Sequence, residues 1–168
     1  AAEKKAGVLA KGLPAGPGGA KGKVTFTADD AEAWAKKGKK VILVRKETSP
    51  EDVHGMHAAE AILTAKGGMT SHAALVARGW GKCCIVGASI HVDSVCKKMT
   101  AGDNVLGEGD FVTLNGTKGY AYAGQLPMIS ATENPRFKKF MAIVDKYRTL
   151  GVRANADTPA DAKNAREF

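Results

Sequence analysis

Short hydrophobic blocks alternate with helical patterns through the first half of the chain. Runs of four or five apolar and β-branched residues predict strands, and amphipathic stretches bounded by Ser, Thr, Pro or Gly predict helices between them. The predicted order is a strand at 23–27, a helix at 27–37, a strand at 41–44, a short helix after Ser49 and Pro50, a strand at 60–64, a helix beginning at His72 and a strand at 83–86. This alternation predicts successive βα units around a parallel sheet.

The second half of the chain changes character at His91. Its apolar segments are short and are interrupted by Gly and Asn. The segments 111–114 and 120–123, separated by NGTKG, predict an antiparallel hairpin. We therefore expect an α/β domain with a mixed sheet, in which parallel βα units join a β-rich part, and we expect its core to end near Gly124.

Four segments follow from this pattern. LPAGPGGAKGK, near the start, cannot hold a helix and predicts a linker. Near the other end, Asn134 and Pro135 predict the start of an amphipathic helix with an apolar packing stripe. The last residues begin a strand and a helix that the chain does not finish, which is typical of a piece of a longer protein. The segments are a linker at 1–23, the domain at 24–124, a connector at 125–150 and the start of a further domain at 151–168.

The composition is that of an ordinary globular protein. Of 168 residues, 44% are hydrophobic and 25% are charged. No apolar run approaches the roughly 20 residues of a membrane helix, and the start of the chain lacks the apolar part of a secretion signal, so we expect an intracellular protein without membrane partners. The net charge of +8 would attract polyanions such as nucleic acid. An aromatic content of 6% gives little support for base stacking, which leaves a basic binding module as a lesser alternative.

The cysteines and three histidines are assigned structural roles. Cys83 and Cys84 are adjacent, so they should face opposite sides of a strand as small core residues in a reducing compartment. His54 and His57 lie three positions apart on one predicted helix, which is a spacing that metal sites use. No Cys, Asp or Glu cluster completes a ligand set near them, so we predict no metal site there. His91 receives the same structural interpretation.

A glycine pair followed by two hydroxyl residues predicts a tight turn into a helix. Gly67 and Gly68 can adopt the positive φ values of such a turn, and Thr70 and Ser71 are preferred N-cap residues. The helix formers AALVAR follow, and Gly79 is expected to end the helix. The turn comes directly after a predicted strand, at the end of a parallel sheet where α/β folds bind ligands.

This arrangement places His72 in the first turn of the helix. Unpaired amide groups and the positive end of the helix dipole favour an anion there, most obviously a phosphoryl group beside the imidazole. The hydroxyls of Thr70 and Ser71 and the amides from Gly68 onward are the natural donors to phosphoryl oxygens. Simple capping by Thr70 and Ser71, and a merely packed His72, remain the alternative interpretation.

Two long motifs resemble a known signature. GGMTSHAALVARGWGKCCIVG at 67–87 and ETSPEDVHGMHAAEAILTAKGG at 47–68 are similar to the phosphohistidine segment of the PEP-utilising enzymes, which interconvert pyruvate and phosphoenolpyruvate (PEP). The resemblance implies a swivelling phosphohistidine domain of β/β/α type with flanking linkers. It also implies that Nε2 of His72 carries the phosphoryl group, that Gly67, Gly68, Thr70 and Ser71 position it, and that Thr70 is a regulatory phosphorylation site.

Within this family the motifs are most similar to the pyruvate phosphate dikinase branch, through Met69 and the KCC at 82–84. That branch implies the reversible reaction of ATP, phosphate and pyruvate to AMP, pyrophosphate and PEP. It implies an ATP-grasp region and a pyruvate/PEP barrel in the same chain, hinges in the Gly/Pro-rich start and at 125–134, and a homodimer. Mg²⁺ and a monovalent cation are implied for the whole enzyme and no cofactor for this part. The location would be the cytoplasm or an organelle matrix such as a plastid or glycosome.

Two sibling groups share the signature and stay open as alternatives. PEP synthase and the sugar-uptake phosphotransferase enzyme I carry the same arrangement of Gly-Gly, a hydroxyl or thiol residue and His. The dikinase resemblance implies that this chain supplies the phosphoryl acceptor, while other domains supply the nucleotide and pyruvate sites. We therefore predict no turnover by this chain alone.

Overall fold

The predicted βα units form the middle of a large sheet in a computed structural model of the chain. The structure describes residues 2–128 and 134–151, with 159, 162, 163 and 166. The chain divides into two compact units, Ala1–Met128 and Ile129–Phe168. A 3-10 turn at Pro50–Asp52 leads into the third helix. In chain order the helices and strands are α1 (Ala2–Ala6), β1 (Ala10–Lys11), β2 (Leu13–Gly16), β3 (Gly19–Thr25), α2 (Ala28–Lys36), β4 (Val41–Arg45), α3 (Val53–Ala58), β5 (Ala61–Thr64), α4 (His72–Gly79), β6 (Cys83–Val86), β7 (His91–Asp93), β8 (Lys98–Ala101), β9 (Asn104–Gly107), β10 (Phe111–Asn115), β11 (Tyr120–Ala123) and α5 (Pro135–Tyr147).

The parallel part of the sheet is confirmed. Strands β3, β4, β5 and β6 are parallel neighbours in that order, joined by α2, α3 and α4. Strands β10 and β11 form the predicted antiparallel hairpin, and β10 pairs with β3. The helix α2 begins where Thr27 caps it, and the Thr27 side chain accepts a bond from the Asp30 amide at 3.1 Å. Thr27 is therefore a cap rather than the end of a strand, because β3 already stops at Thr25.

The prediction that residues 1–23 form a linker is wrong. They supply β1, β2 and most of β3, so the strand predicted at 23–27 begins at Gly19. The sheet order is β1-β11-β10-β3-β4-β5-β6-β2, which places β1 and β2 at opposite edges although Gly12 alone separates them in sequence. The sheet therefore curls until its edges meet. Pro and Gly are poor in helices but are tolerated in edge strands, which the helix-based argument overlooked.

Gly12 fits the junction of the two sheet edges closely. Its amide donates to the Gly119 carbonyl at 2.9 Å, beside β11. On the other side, a Cβ placed on Gly12 would lie 2.7 Å from Cγ2 of Ile85 in β6. Only a residue without a side chain fits between these neighbours, so the closure of the sheet depends on glycine at this position.

Alternate side chains of the parallel strands enter two separate cores. Leu43, Ile62 and Cys84 face the helices, whereas Ile42, Leu63 and Cys83 face the antiparallel sheet of β7, β8 and β9. The layers are thus small sheet, large sheet and helices, which confirms the β/β/α fold class. Cys83 and Cys84 are buried on opposite faces, as predicted.

The second unit contains α5. The Asn134 side chain accepts a bond from the Arg136 amide at 2.9 Å, and Pro135 is the first residue of the helix, as predicted. No residue of α5 is buried, so the packing role of its apolar stripe stays a prediction. The strand and helix predicted after Gly151 lie almost wholly outside the described residues. Among the described helices, none has the length and apolar character needed to cross a membrane.

Candidate functional site

His72 is delivered by a turn that joins β5 to α4. Gly67 has φ of +110°, which residues with a side chain rarely adopt, and Thr64 braces the approach by donating its hydroxyl to the Lys66 carbonyl at 2.7 Å. The Ser71 amide donates to the Gly68 carbonyl at 3.0 Å, which closes the turn. His72 is then the first helical residue, as the sequence predicted.

The four residues around His72 differ in their roles. Ser71 is the N-cap, and its Oγ accepts a bond from the Ala74 amide at 3.4 Å. Thr70 is exposed and lies outside the cap, so the turn uses one of the two predicted hydroxyls. Gly67 has a positive φ, whereas Gly68 does not, and a Cβ on Gly68 would have nothing within 4 Å.

The far end of α4 lies at Gly79, as predicted, but another glycine makes the turn after it. The helix includes Gly79, and Gly81, with φ of +64°, makes the left-handed turn instead. The Lys82 amide donates to the Ala77 carbonyl at 2.8 Å and leads the chain directly into β6. The left-handed residue is therefore Gly81, two residues after the predicted end of the helix.

Thr48 is the partner of His72 that sequence reasoning missed. Its Oγ1 lies 3.0 Å from Nδ1 of His72 across 24 residues of sequence. β4 and β5 are parallel neighbours with Arg45 opposite Thr64, so the segments after them emerge at the same edge of the sheet. That register, together with the hydroxyl four positions after the strand predicted at 41–44, is the signal that could have identified Thr48.

The backbone of the turn is held by contacts with its own helix and with the segment after β6. Arg78, in the last turn of α4, donates from Nη2 to the Met69 carbonyl. Gly87, with φ of +59°, lies beneath the turn, where a Cβ would be 2.7 Å from the Gly67 carbonyl oxygen. The Ala88 amide donates to the Thr64 carbonyl at 2.9 Å. The turn therefore rests on its own helix and on the segment after β6.

The surroundings of the imidazole favour a negatively charged ligand. His72 is half-buried, and among the described residues no hydrogen-bond partner faces its Nε2. The amino end of α4 contributes its unpaired amides and dipole. Lys46 and Lys66, both exposed, join the adjacent loops through a backbone bond of 2.7 Å, and their charges add to the attraction of anions.

The other histidines and the cysteines lie apart from this arrangement. Nε2 of His54 is 2.9 Å from Oδ1 of Asp29 on α2, and the ring of His57 meets Trp80 edge-on at 5.2 Å. Within the parts of the chain that the structure describes, no group of three His, Cys, Asp or Glu residues could hold a metal ion. Burial raises the pKa of Cys84 to about 12, so its thiol is a poor nucleophile despite its position under α4.

A protein-family comparison matches the part of the chain that contains this site. Residues 37–119 match the model described as "PEP-utilising enzyme, mobile domain". The chain belongs to the PEP-utilising enzymes. Both β4 with Thr48 and α4 with His72 lie inside the matched residues, so the family segment contains the whole arrangement described above.

Curated relatives in this family extend the similarity to nearly the whole chain. Pyruvate, phosphate dikinase 2 of Oryza sativa subsp. japonica is 58% identical over 160 residues, and pyruvate, phosphate dikinase 1, chloroplastic, of Arabidopsis thaliana is 56% identical over 161 residues. Each alignment covers 95% of this chain but 18% and 17% of the relative. Among solved structures, the N-terminal domain of nitrogen Enzyme 1 is 19% identical with a TM-score of 0.38, covering 70% of this chain and 41% of that one.

Proposed function

We propose that this chain is the phosphoryl-carrying domain of a pyruvate phosphate dikinase and that His72 is the acceptor. The observation that carries the proposal is the contact between Nδ1 of His72 and Thr48, which leaves Nε2 open at the amino end of α4. An imidazole held through one nitrogen and open at the other can attack an electrophile. Because the chain belongs to the PEP-utilising enzymes, we propose that this electrophile is the phosphorus of a phosphoryl donor.

Each step of the proposed transfer needs one bond to form and one to break. Nδ1 keeps its proton and donates a hydrogen bond to Oγ1 of Thr48, so the lone pair of Nε2 is free. Nε2 attacks the β-phosphorus of ATP, an N–P bond forms, and the P–O bond to AMP breaks with its electron pair leaving on AMP. Phosphate then attacks the terminal phosphorus, the P–O bond between the two transferred phosphoryl groups breaks, and pyrophosphate leaves. Attack by the enolate oxygen of pyruvate on the remaining phosphoryl group forms the P–O bond of PEP, breaks the N–P bond and restores the imidazole.

The residues around His72 are proposed to hold the phosphoryl oxygens. Ser71 accepts the cap bond through Oγ and still has its hydroxyl proton to donate. Gly67 and Gly68 shape the turn so that backbone amides face the same space. Thr70 is exposed and could donate as well. As a regulatory phosphorylation site, Thr70 would place negative charge two residues before His72 and repel an incoming anion.

The whole protein would perform the complete dikinase reaction. The chain spans 17 to 18% of the length of the curated relatives, which leaves room for an ATP-grasp region and a pyruvate/PEP barrel. In this proposal the domain swivels between them and carries the phosphoryl group from ATP to pyruvate. Mg²⁺, a monovalent cation and the dimer contacts belong to those other parts. A plastid location is consistent with the relatives called chloroplastic.

The experiment that tests the proposal uses the full-length enzyme and ATP labelled on its β- or γ-phosphorus in separate reactions. We expect acid-labile, alkali-stable label on His72, and none in the His72→Asn variant. Label on another residue, or label that survives the substitution, would contradict the proposal. A requirement for phosphate separates a dikinase from a PEP synthase, which uses water instead. We expect no pyrophosphate from this chain alone.

A further inference from the structure

Asp52 is a buried carboxylate four residues after Thr48, the residue that contacts the imidazole. It is 5% exposed, and both of its oxygens are occupied. Oδ2 accepts a bond from the Ser49 amide at 3.0 Å, and Oδ1 lies 3.2 Å from Nη2 of Arg45. A buried charge is costly unless it is paired and hydrogen-bonded, so an ion pair at this place calls for an explanation beyond stability.

Arg45 extends the network to a third segment. It is the last residue of β4, and its Nη1 donates to the carbonyl of Phe26, just after β3, at 3.1 Å. Phe26 is fully buried and so provides a fixed point. Arg45 and Asp52 together clamp the loop at 46–51 between the end of β3 and the start of α3. The residue next to the clamped Ser49 amide is Thr48, which contacts His72.

We propose that Asp52 and Arg45 are positioning residues for His72. They hold the loop so that Oγ1 of Thr48 stays against Nδ1, which fixes the imidazole tautomer and keeps Nε2 open. The positioning role is inferred from the contacts of Asp52, Arg45 and Thr48. Its consequence for phosphoryl transfer rests on the proposed function. Second-sphere partners of this kind commonly set the tautomer and orientation of a working histidine.

The rest of the loop does not depend on this clamp. The Ala65 amide donates to the Arg45 carbonyl at 3.1 Å, and the Lys66 amide donates to the Lys46 carbonyl at 2.7 Å. These backbone bonds hold the start of the loop to the segment after β5. Loss of the Asp52 carboxylate should therefore release Ser49 and Thr48 while leaving β4 in place. A local effect on His72 is the expected result.

The test compares ¹⁵N spectra of the imidazole in the full chain for wild type, Asp52→Asn and Asp30→Asn. Two-bond ¹H–¹⁵N couplings report which ring nitrogen carries the proton. We expect the Nδ1–H form to dominate in wild type and the Nε2–H form to increase several-fold in Asp52→Asn. Asp30→Asn is the matched control, because Asp30 forms a partly exposed pair with Lys97 that makes no contact with His72. Asp52→Glu, which restores a carboxylate, should return much of the Nδ1–H form.

The outcomes separate the two proposals. If Asp52→Asn keeps its native amide spectrum and its tautomer ratio is unchanged, the positioning role is wrong. If Asp52→Asn does not fold, Arg45→Lys decides, since a lysine lacks the two separate guanidinium nitrogens that contact Asp52 and the Phe26 carbonyl. An unchanged ratio in that variant also overturns the inference. Failure of full-length wild type to accept label from ATP would refute the proposed function without affecting the tautomer comparison. With both correct, the rate of His72 labelling in Asp52→Asn should fall about threefold, less than the loss expected when the Thr48 hydroxyl itself is removed.

Discussion

The two ends of the parallel strands use polar groups in opposite ways. At the carboxyl ends of β4 and β5, Thr48 and His72 meet, and Nε2 of the imidazole has no partner among the described residues. At the amino ends of β5 and β6, Nζ of Lys82 donates to the carbonyls of His57 and Ala59 and so caps the end of α3. Burial lowers the pKa of Lys82. One end leaves a ring nitrogen open, and the other uses its charge to complete the fold.

A cavity lies at the amino ends of the parallel strands, away from His72. A cavity of about 360 Å³ lies at the amino ends, where Gly18, Lys82 and Cys83 line it, and not beside His72. Enzyme sites are commonly the largest cleft of a protein. The proposed phosphoryl carrier would differ from such enzymes, because its reactive group would have to enter the clefts of other domains. A helix end at the surface suits that task better than a pocket. Variants at the two strand ends can therefore be compared for their effects on stability and on labelling of His72.

The largest effect should come from Gly67→Ala. Alanine at φ of +110° is strained, and its Cβ would lie 3.0 Å from Cβ of Ser71, so we expect a loss of about 3 kcal/mol in the free energy of unfolding, measured with urea. Gly68→Ala is the control, since its Cβ would meet nothing within 4 Å. Equal stability of the two variants would show that the turn does not depend on the conformation of Gly67.

At the opposite end, Lys82→Met should lower the free energy of unfolding by about 2 kcal/mol, because two carbonyls at the end of α3 lose a charged donor. Labelling of His72 in the full-length enzyme should stay within about twofold of wild type at temperatures where the variant is folded. A large loss of labelling in folded protein would break the division of roles between the two ends.

A smaller effect is expected for Thr48→Val, which has nearly the same shape but no hydroxyl. Loss of one hydrogen bond to Nδ1 should slow labelling of His72 about fivefold, while the free energy of unfolding changes by less than about 1 kcal/mol. Thr48→Ser keeps the hydroxyl and should retain most of the rate. Identical rates in the valine and serine variants would remove Thr48 from the mechanism.

The smallest effect concerns the thiols. Burial raises the pKa of Cys83 to about 11 and that of Cys84 to about 12, whereas Cys96 is exposed. At pH 8 a thiol reagent should modify Cys96 in the native chain and all three cysteines after unfolding. Because the folded pKa values exceed the unfolded value of 9.0, the thiols favour folding below about pH 9, and this contribution is lost as the pH rises toward 11 and 12. Rapid native labelling of Cys84 would contradict its burial.

Local signals predicted much of this fold. The caps Ser71 and Asn134 act within three residues of sequence, and the glycine turn after β5 places His72 at the start of α4 as expected. The β-rich second half and the hairpin of β10 and β11 followed from short apolar segments separated by Gly and Asn. In each case the deciding interaction lies between near neighbours in the chain, so the sequence pattern contains it.

Features that depend on distant contacts escaped prediction. Residues 10–16 form edge strands only because β6 and β11 present free backbone groups there, and nothing in their Gly/Pro-rich sequence announces those partners. Thr48 reaches His72 only after β4 and β5 have paired in register. Gly81, two residues after the end of α4, adopts the left-handed conformation because the chain must descend into β6. Sheet pairing across many residues decided each of these.

Closure of the sheet at Gly12 has a practical consequence for anyone who divides this protein into parts. The family match begins at residue 37 and ends at residue 119, after β3 has finished and before β11 begins. A fragment cut to those limits would lose β1, β2, β3 and β11, and would expose the edges of β4, β6 and β10 to other chains. The segment that defines the family by sequence is therefore smaller than the smallest piece expected to fold without aggregating.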